Sequence, residues 1–313
     1  MSFAFVFPGQ GAQAVGMGKA LAEAYPASAA VFEEVDEALG EKLSGLIWDG
    51  PIETLTLTAN AQPALMATSL AAMRALEAEG VSIADASYVA GHSLGEYSAL
   101  TAAGAFTVGD AAKLLRVRGE AMQEATPAGV GAMAALLGLD FATATAVAEE
   151  AAQGEVCQAA NDNDPGQVVV SGHKAAVERA VELAKGKGAK RAVLLPVSAP
   201  FHCALMAPAA ERMAQALSEV EIREPAAPVV SNVSASGVGD PQLIRNLLVE
   251  QITGSVRWRE SVEWMASRGV AGLAEIGAGK ALSGMARRID RSLTCVAVGG
   301  PDDIAKAVEA IKG

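Results

Sequence analysis

Tyr88-Val89-Ala90-Gly91-His92-Ser93-Leu94-Gly95-Glu96 is the stretch on which the reading of this chain turns. An apolar run enters a G-x-S-x-G pentapeptide and helix-forming residues leave it, the order of a strand that turns sharply into a helix. Such a turn pushes its central hydroxyl into an exposed, strained position, and glycines on either side let the backbone close without clashing. Ser93 is therefore the candidate nucleophile. The Leu94 amide falls at a helix N-terminus, where it can stabilise an oxyanion. The plainer alternative is a strand-to-helix turn in which the serine is only an N-cap.

Outward from this turn, apolar runs bounded by Gly or Pro alternate with helical patterns, the signature of an α/β protein with a mainly parallel sheet. The pattern predicts strands over Phe3–Phe7, Tyr88–Ala90, Val229–Ser231, Leu273–Ile276 and Cys295–Val298. Helices are expected over Ser28–Ala38, Pro63–Glu79, Glu96–Ala103, Asp110–Glu124, Leu205–Ser218 and Ile304–Ile311. Between Met133 and Leu195 the order changes: strand Met133–Leu139, helix Phe141–Ala152, strands Val156–Ala160 and Val168–Ser171, helix Ala175–Lys187, strand Ala192–Leu195. That β-α-β-β-α-β order is ferredoxin-like. It predicts a small domain over 128–196, inserted near Pro127 and Pro196 into a larger α/β domain formed by 1–127 and 197–313.

Composition narrows the partners. Half of the 313 residues are apolar but only 4% are aromatic, so helices should pack closely on small side chains. A net charge of −12 argues against nucleic acid or an anionic membrane as main partner. Cys157, Cys203 and Cys295 are far apart and cluster with no histidine, which points to a reduced compartment without a structural metal. Met1–Phe7 lacks a basic n-region and reads as a strand rather than a signal peptide. Thr54–Met73 carries no charge, but Asn60, Gln62, Pro63 and its hydroxyl residues make it a poor membrane span. A cytoplasmic chain that needs no second copy is the expectation.

A serine nucleophile needs a base, and three histidines are available. His92 adjoins Ser93 on a tight elbow, where neighbours diverge, so it reads as a packing or hydrogen-bonding residue. His173 opens a helix and reads as a capping or surface residue. His202, in Ser198-Ala199-Pro200-Phe201-His202-Cys203, remains as the base. Arg118 has Leu114, Leu115, Ala121 and Met122 at its i±3 and i±4 positions and so projects from an apolar helix face, unlike Arg116. A guanidinium there needs an acidic partner: either an Asp or Glu of the chain, or a substrate carboxylate. The loop Pro8-Gly9-Gln10-Gly11-Ala12-Gln13 follows the first strand, and the Gln10 amide is a candidate second oxyanion donor. Gly9–Ala14 imitates a dinucleotide fingerprint and Gly277-Ala278-Gly279-Lys280 a phosphate loop, but Pro8 intrudes on the first and Ala274 replaces the leading glycine of the second. Both are read as turns.

Together, Gly9-Gln10-Gly11, Gly91–Glu96, Arg118-Gly119, Gly131-Ala132-Met133-Ala134-Ala135 and Pro200-Phe201-His202 resemble the malonyl-CoA:acyl carrier protein transacylases, along nearly the whole chain and in order. The resemblance implies an α/β-hydrolase-like core with a ferredoxin-like insertion. It implies Ser93 as acyl acceptor, His202 as base, Arg118 as clamp for the malonyl carboxylate, and Leu94 and Gln10 as oxyanion donors. Gln251 matches the residue whose backbone carbonyl orients the histidine, and Gln62, Met122 and Met133 match pocket positions. Phe201 stands where relatives carry serine; in related polyketide acyltransferases a phenylalanine beside this histidine accompanies malonyl preference. The substrates implied are malonyl-CoA and the phosphopantetheine thiol of acyl carrier protein, with no resident cofactor or metal. For an acidic carrier, the best local patch is Lys185, Lys187, Lys190 and Arg191, equally readable as a solvated helix end. A polyketide setting is one alternative. A thioesterase or esterase is another, with Asp162 or Asp164 as triad acid ahead of His202 in the required chain order.

Overall fold

The computed structural model describes all 313 residues. Its strands, in chain order, are β1 (Phe3–Phe7), β2 (Ala86–Gly91), β3 (Gly131–Leu137), β4 (Cys157–Asp164), β5 (Gln167–His173), β6 (Arg191–Leu194), β7 (Val229–Val230), β8 (Gly237–Val238), β9 (Gly272–Ile276) and β10 (Thr294–Val298). They form two sheets. The larger, ordered β10-β9-β1-β2-β7-β8, is parallel except for the last pair. Helices cover both of its faces, and β1 shows why Phe3-Ala4-Phe5-Val6-Phe7 is apolar without interruption. Phe3, Phe5 and Phe7 enter the main core on one face. Ala4 and Val6 enter a second core with Ala90 and Trp258 on the other.

Register then places the functional loops. Phe7 pairs with Gly91, so the loops that follow β1 and β2 emerge side by side from the same end of the sheet. In open α/β sheets the carboxyl ends of the strands are where ligands bind. The helix over Thr58–Ala78 runs beneath them, with most of its residues buried. It begins five residues ahead of the expected start at Pro63, because the Leu57 carbonyl already accepts from the Asn60 and Ala61 amides and the proline falls within the second turn. Against it lies the helix Val108–Glu124, and a Cβ on Gly119 would stand 2.6 Å from the Ala59 Cα. Small residues thus set the spacing between these two helices, as the scarcity of aromatics suggested.

The smaller sheet, ordered β4-β5-β3-β6, is antiparallel throughout. Helices Phe141–Ala152 and Lys174–Gly186 pack on it around a separate core of Val and Ala side chains. β4 runs to Asp164, beyond the expected end at Ala160. The polar run Asn161-Asp162-Asn163-Asp164 hid this extension, since its residues pair with β5 while their side chains turn to the large domain. The Asp162 amide donates to the Val256 carbonyl and the Val256 amide to Ala160, which stitches the two units together. No helix, that of the charge-free Thr54–Met73 stretch included, is long and apolar enough to cross a membrane.

Candidate active site

Ser93 has φ 55°, the left-handed conformation expected of a strained elbow. The glycines around it are required by contact: a Cβ on Gly91 would lie 1.9 Å from the Gly95 carbonyl, and one on Gly95 would lie 2.2 Å from the Phe7 oxygen. Ser93 caps no helix. Its Oγ lies 2.8 Å from His202 Nε2 and 3.1 Å from Arg118 Nη2, while its amide donates to Asn232 Oδ1 at 2.7 Å.

His202 is also held at positive φ, 58°, and is buried. Its Nδ1 lies 2.9 Å from the Gln251 carbonyl, which can only accept. The Nδ1–H tautomer is thereby fixed, and Nε2 is left as the acceptor for the Ser93 hydroxyl. Burial, and then the positive charge of Arg118, push the imidazole pKa down to about 3, so the ring is a neutral base at any ordinary pH. Neither candidate triad acid reaches it. Asp162 is paired with Arg259 at 2.8 Å and Asp164 with Arg288 at 2.8 Å. The other histidines are elsewhere engaged: His92 Nε2 lies 2.8 Å from Asn163 Oδ1, and His173 Nδ1 accepts from the Val156 amide.

Arg118 is 1% exposed, yet no carboxylate lies within 4 Å of its guanidinium. Nη1 donates to Gln62 Oε1 and Nη2 to Gln251 Oε1, both at 2.8 Å, and the Tyr97 ring lies 5.6 Å away. Of the two partners open in the sequence, no resident acid touches it: Glu96 acts on it only through space and across the Gln251 side chain. A buried cation bound only to neutral oxygens is a site for an anion from outside.

These groups open onto a cavity of about 360 Å³ lined by Gln10, Gln62, Ser93, Leu94, Arg118, Met122, Met133, Phe201 and His202, with Asn161 and Leu195–Val197 on the side of the smaller sheet. Every sequence-predicted catalytic or pocket residue lines it except Gln251, which sits fully buried behind Arg118. Neither the Leu94 nor the Gln10 amide donates to any group of the chain, which leaves both free for an oxyanion. Gln10 Nε2 bonds Thr58 Oγ1 at 3.2 Å, so the side chain is anchored while the amide stays available.

The acyl transferase domain model matches residues 4–290. The malonyl CoA-acyl carrier protein transacylase of Bacillus subtilis is 48% identical over 310 residues, covering 99% of this chain and 97% of that protein. This chain belongs to the malonyl-CoA:acyl carrier protein transacylases. The crystal structure of the acyl-carrier-protein-S-malonyltransferase from Bartonella henselae superimposes with a TM-score of 0.98 at 54% identity, each chain covered completely. A malonyl-transacylase solved in complex with its type II polyketide acyl-carrier protein gives 0.96 at 44%, over 99% of this chain and 100% of that one.

In this transacylase the sequence reading missed a buried polar layer beneath the site. Glu96 Oε2 accepts from the Asn232 amide at 3.0 Å and from Gln251 Nε2 at 2.7 Å. Burial raises the Glu96 pKa to about 7 against the pull of these hydrogen bonds. Glu96 was open to detection: it occupies the first turn of a helix, Gly95–Ala102, that is buried almost throughout, with no polar face to receive a charge. Asn232, in a short turn after β7, offers no comparable signal. The basic patch is weaker than its sequence implied, because Lys185 pairs with Glu182 and Lys187 with Glu150.

Proposed function

We propose that the chain moves a malonyl group from malonyl-CoA to the phosphopantetheine thiol of acyl carrier protein through a malonyl ester on Ser93. The observation that carries this reading is Arg118, a buried cation in direct contact with no carboxylate, 3.1 Å from the Ser93 hydroxyl. An acyl group attached at Ser93 with a free carboxylate at its far end answers that charge; an acetyl group does not.

His202 Nε2 takes the Ser93 proton as Oγ attacks the thioester carbonyl, and the Leu94 and Gln10 amides hold the tetrahedral oxyanion. The C–S bond breaks, and the CoA sulfur leaves with the proton from His202. In the second half, the carrier thiol gives its proton to the same nitrogen and attacks the ester. The C–O bond breaks, and Ser93 recovers its proton. The Gln251 carbonyl orients the imidazole throughout, in place of a triad carboxylate.

The same reading treats residues 1–127 and 197–313 as an α/β-hydrolase-like unit and 128–196 as a ferredoxin-like insertion, supported by the sheet order β4-β5-β3-β6. Phe201 on the cavity wall favours malonyl over bulkier acyl groups. Fatty acid chain elongation is the expected use, and the polyketide relative keeps that pathway as the second reading. Of the proposed carrier patch, Lys190 and Arg191 are the members without an acidic partner. Mass spectrometry after mixing with malonyl-CoA tests the core of the proposal. A malonyl adduct on Ser93 that disappears on adding holo carrier protein, with label recovered on the carrier, is the expected result. No adduct, or label released to water, would overturn it.

A further inference from the structure

We infer that Glu96 is a positioning residue for malonyl transfer, acting through the side-chain amide of Gln251; the inference rests on the malonyl-transfer reading above. Gln251 serves both halves of the site at once. Its carbonyl binds His202 Nδ1 at 2.9 Å, and its Oε1 binds Arg118 Nη2 at 2.8 Å. The second contact exists only if the amide faces the right way, since a flipped amide would turn its NH₂ against the guanidinium, donor against donor. Three acceptors lie on the Nε2 side: Glu96 Oε2 at 2.7 Å, the Ser93 carbonyl at 3.0 Å and Asn232 Oδ1 at 3.3 Å. Glu96 is the nearest of them and the only carboxyl group.

The same carboxylate oxygen accepts the Asn232 amide at 3.0 Å, and Asn232 Oδ1 holds the Ser93 amide at 2.7 Å. One buried oxygen thus ties the mount of the nucleophile to the residue shared by base and clamp. A carboxylate that is 1% exposed and has no ion-pair partner within 4 Å is costly to keep for packing alone. Its position in the first turn of a helix that starts at the elbow lets the helix N-terminus offset part of that cost.

The test compares single-turnover acylation of Ser93 by malonyl-CoA and acetyl-CoA in the wild type, Glu96→Met, Glu96→Gln, Gln251→Met and the double variant Glu96→Met/Gln251→Met. Methionine fills the site but accepts nothing, so malonyl acylation should fall about 50-fold, and acetyl acylation, which needs only the Asn232 mount of Ser93, by about fivefold. Glu96→Gln keeps an acceptor oxygen and should stay within about fivefold of wild type. Because Glu96 acts on the clamp through Gln251, the double variant should lose malonyl acylation relative to Gln251→Met by no more than the further factor of about five carried by the Asn232 mount, far short of the product of the two single losses. A wild-type malonyl to acetyl ratio in Glu96→Met, or strictly multiplicative losses in the double variant, would overturn the proposal. Should Glu96→Met fail to fold, an unchanged ratio in Gln251→Met does so. A wild type that forms no malonyl ester defeats the transfer reading and this proposal together, whereas a normal wild type with an insensitive Glu96→Met defeats only the latter.

Discussion

Two arginines of this molecule occupy opposite electrostatic settings. Arg259, at the seam between the two sheets, lies 2.8 Å from both Asp162 and Glu263. Arg118, in the cavity, is more deeply buried and rests on two glutamine oxygens and a serine hydroxyl. At the seam, charge meets charge and the pair is complete; such a pair holds domains together and has no need of a ligand. In the cavity the cation is solvated by neutral dipoles strong enough to tolerate it and weak enough to yield to a carboxylate. The same distinction separates Asp162 and Asp164, each taken by an arginine, from His202, whose partner is a carbonyl.

The comparison breaks most directly at Arg118. Arg118→Ala should lower the ratio of malonyl to acetyl transfer by about 100-fold or more, the cost of losing a buried charge-paired hydrogen bond set. Competition between the two thioesters for Ser93 measures it, and an unchanged ratio would reduce Arg118 to a structural residue. The converse change converts the cavity into a copy of the seam. Gln62→Glu gives Arg118 a resident carboxylate at the 2.8 Å position now held by Oε1. Malonyl-CoA should then bind about 30-fold more weakly with the fold intact, because the substrate must displace an ion pair instead of an amide. A KM for malonyl-CoA equal to that of the wild type would show that Gln62 is not where the carboxylate competes.

What the chain discloses before folding follows the same division. That Ser93, His202 and the Gln10 loop meet at one cavity was legible because each depends on a local rule: a glycine-framed elbow, a short supply of histidines, a loop after a buried strand. Arg118 was legible as an oddity on an apolar helix face, although its neighbours on that face could not say whether its partner was internal. Asn232, the side chain of Gln251 and the contacts that join both to Glu96 were hidden because they span separations of 19 to 155 residues, through a sheet register no local pattern encodes. The extension of β4 was hidden for a related reason: a strand whose polar residues face another domain does not alternate as one that faces water does. The Pro63 boundary shows tertiary packing against Gly119 prevailing over a start signal.

Stability against pH separates the hidden carboxylate from the seam. The Glu96 pKa rises from 4.5 in the unfolded chain to about 7 in the fold. Between those values the unfolded state releases a proton that the folded state keeps, so stability falls as pH rises, by about 3 kcal/mol at most once pH exceeds 7. His202 has the opposite sign. Its pKa drops from 6.5 to about 3, so the stability tied to it is lost as pH falls from 6.5 towards 3. Glu96→Gln removes only the first effect. Urea unfolding at pH 5 and pH 8 should find the variant gaining on the wild type by about 2 kcal/mol between the two. An equal gap at both pH values would mean that Glu96 ionises as freely in the fold as outside it.

The smallest effect on chemistry should come from the seam itself. Asp162→Ala with Asp164→Ala removes the two carboxylates that a hydrolase reading would enlist, and leaves Arg259 with Glu263 and Glu260 still within 4.0 Å. Stability should drop by about 2 kcal/mol, since Arg259 keeps acidic partners and Arg288, which loses its one carboxylate, is half-exposed to water. Transfer per folded molecule should stay within about threefold of wild type, against the loss of about 10⁴ that removal of a triad acid brings. The outcome discriminates because His202 already has its orienting partner: the Gln251 carbonyl, on a backbone fixed by the bond from the Gln251 amide to the Leu247 carbonyl at 2.8 Å. A collapse in transfer without a matching loss of folded protein would mean that the seam reaches the base after all, and that its charges are not closed on themselves.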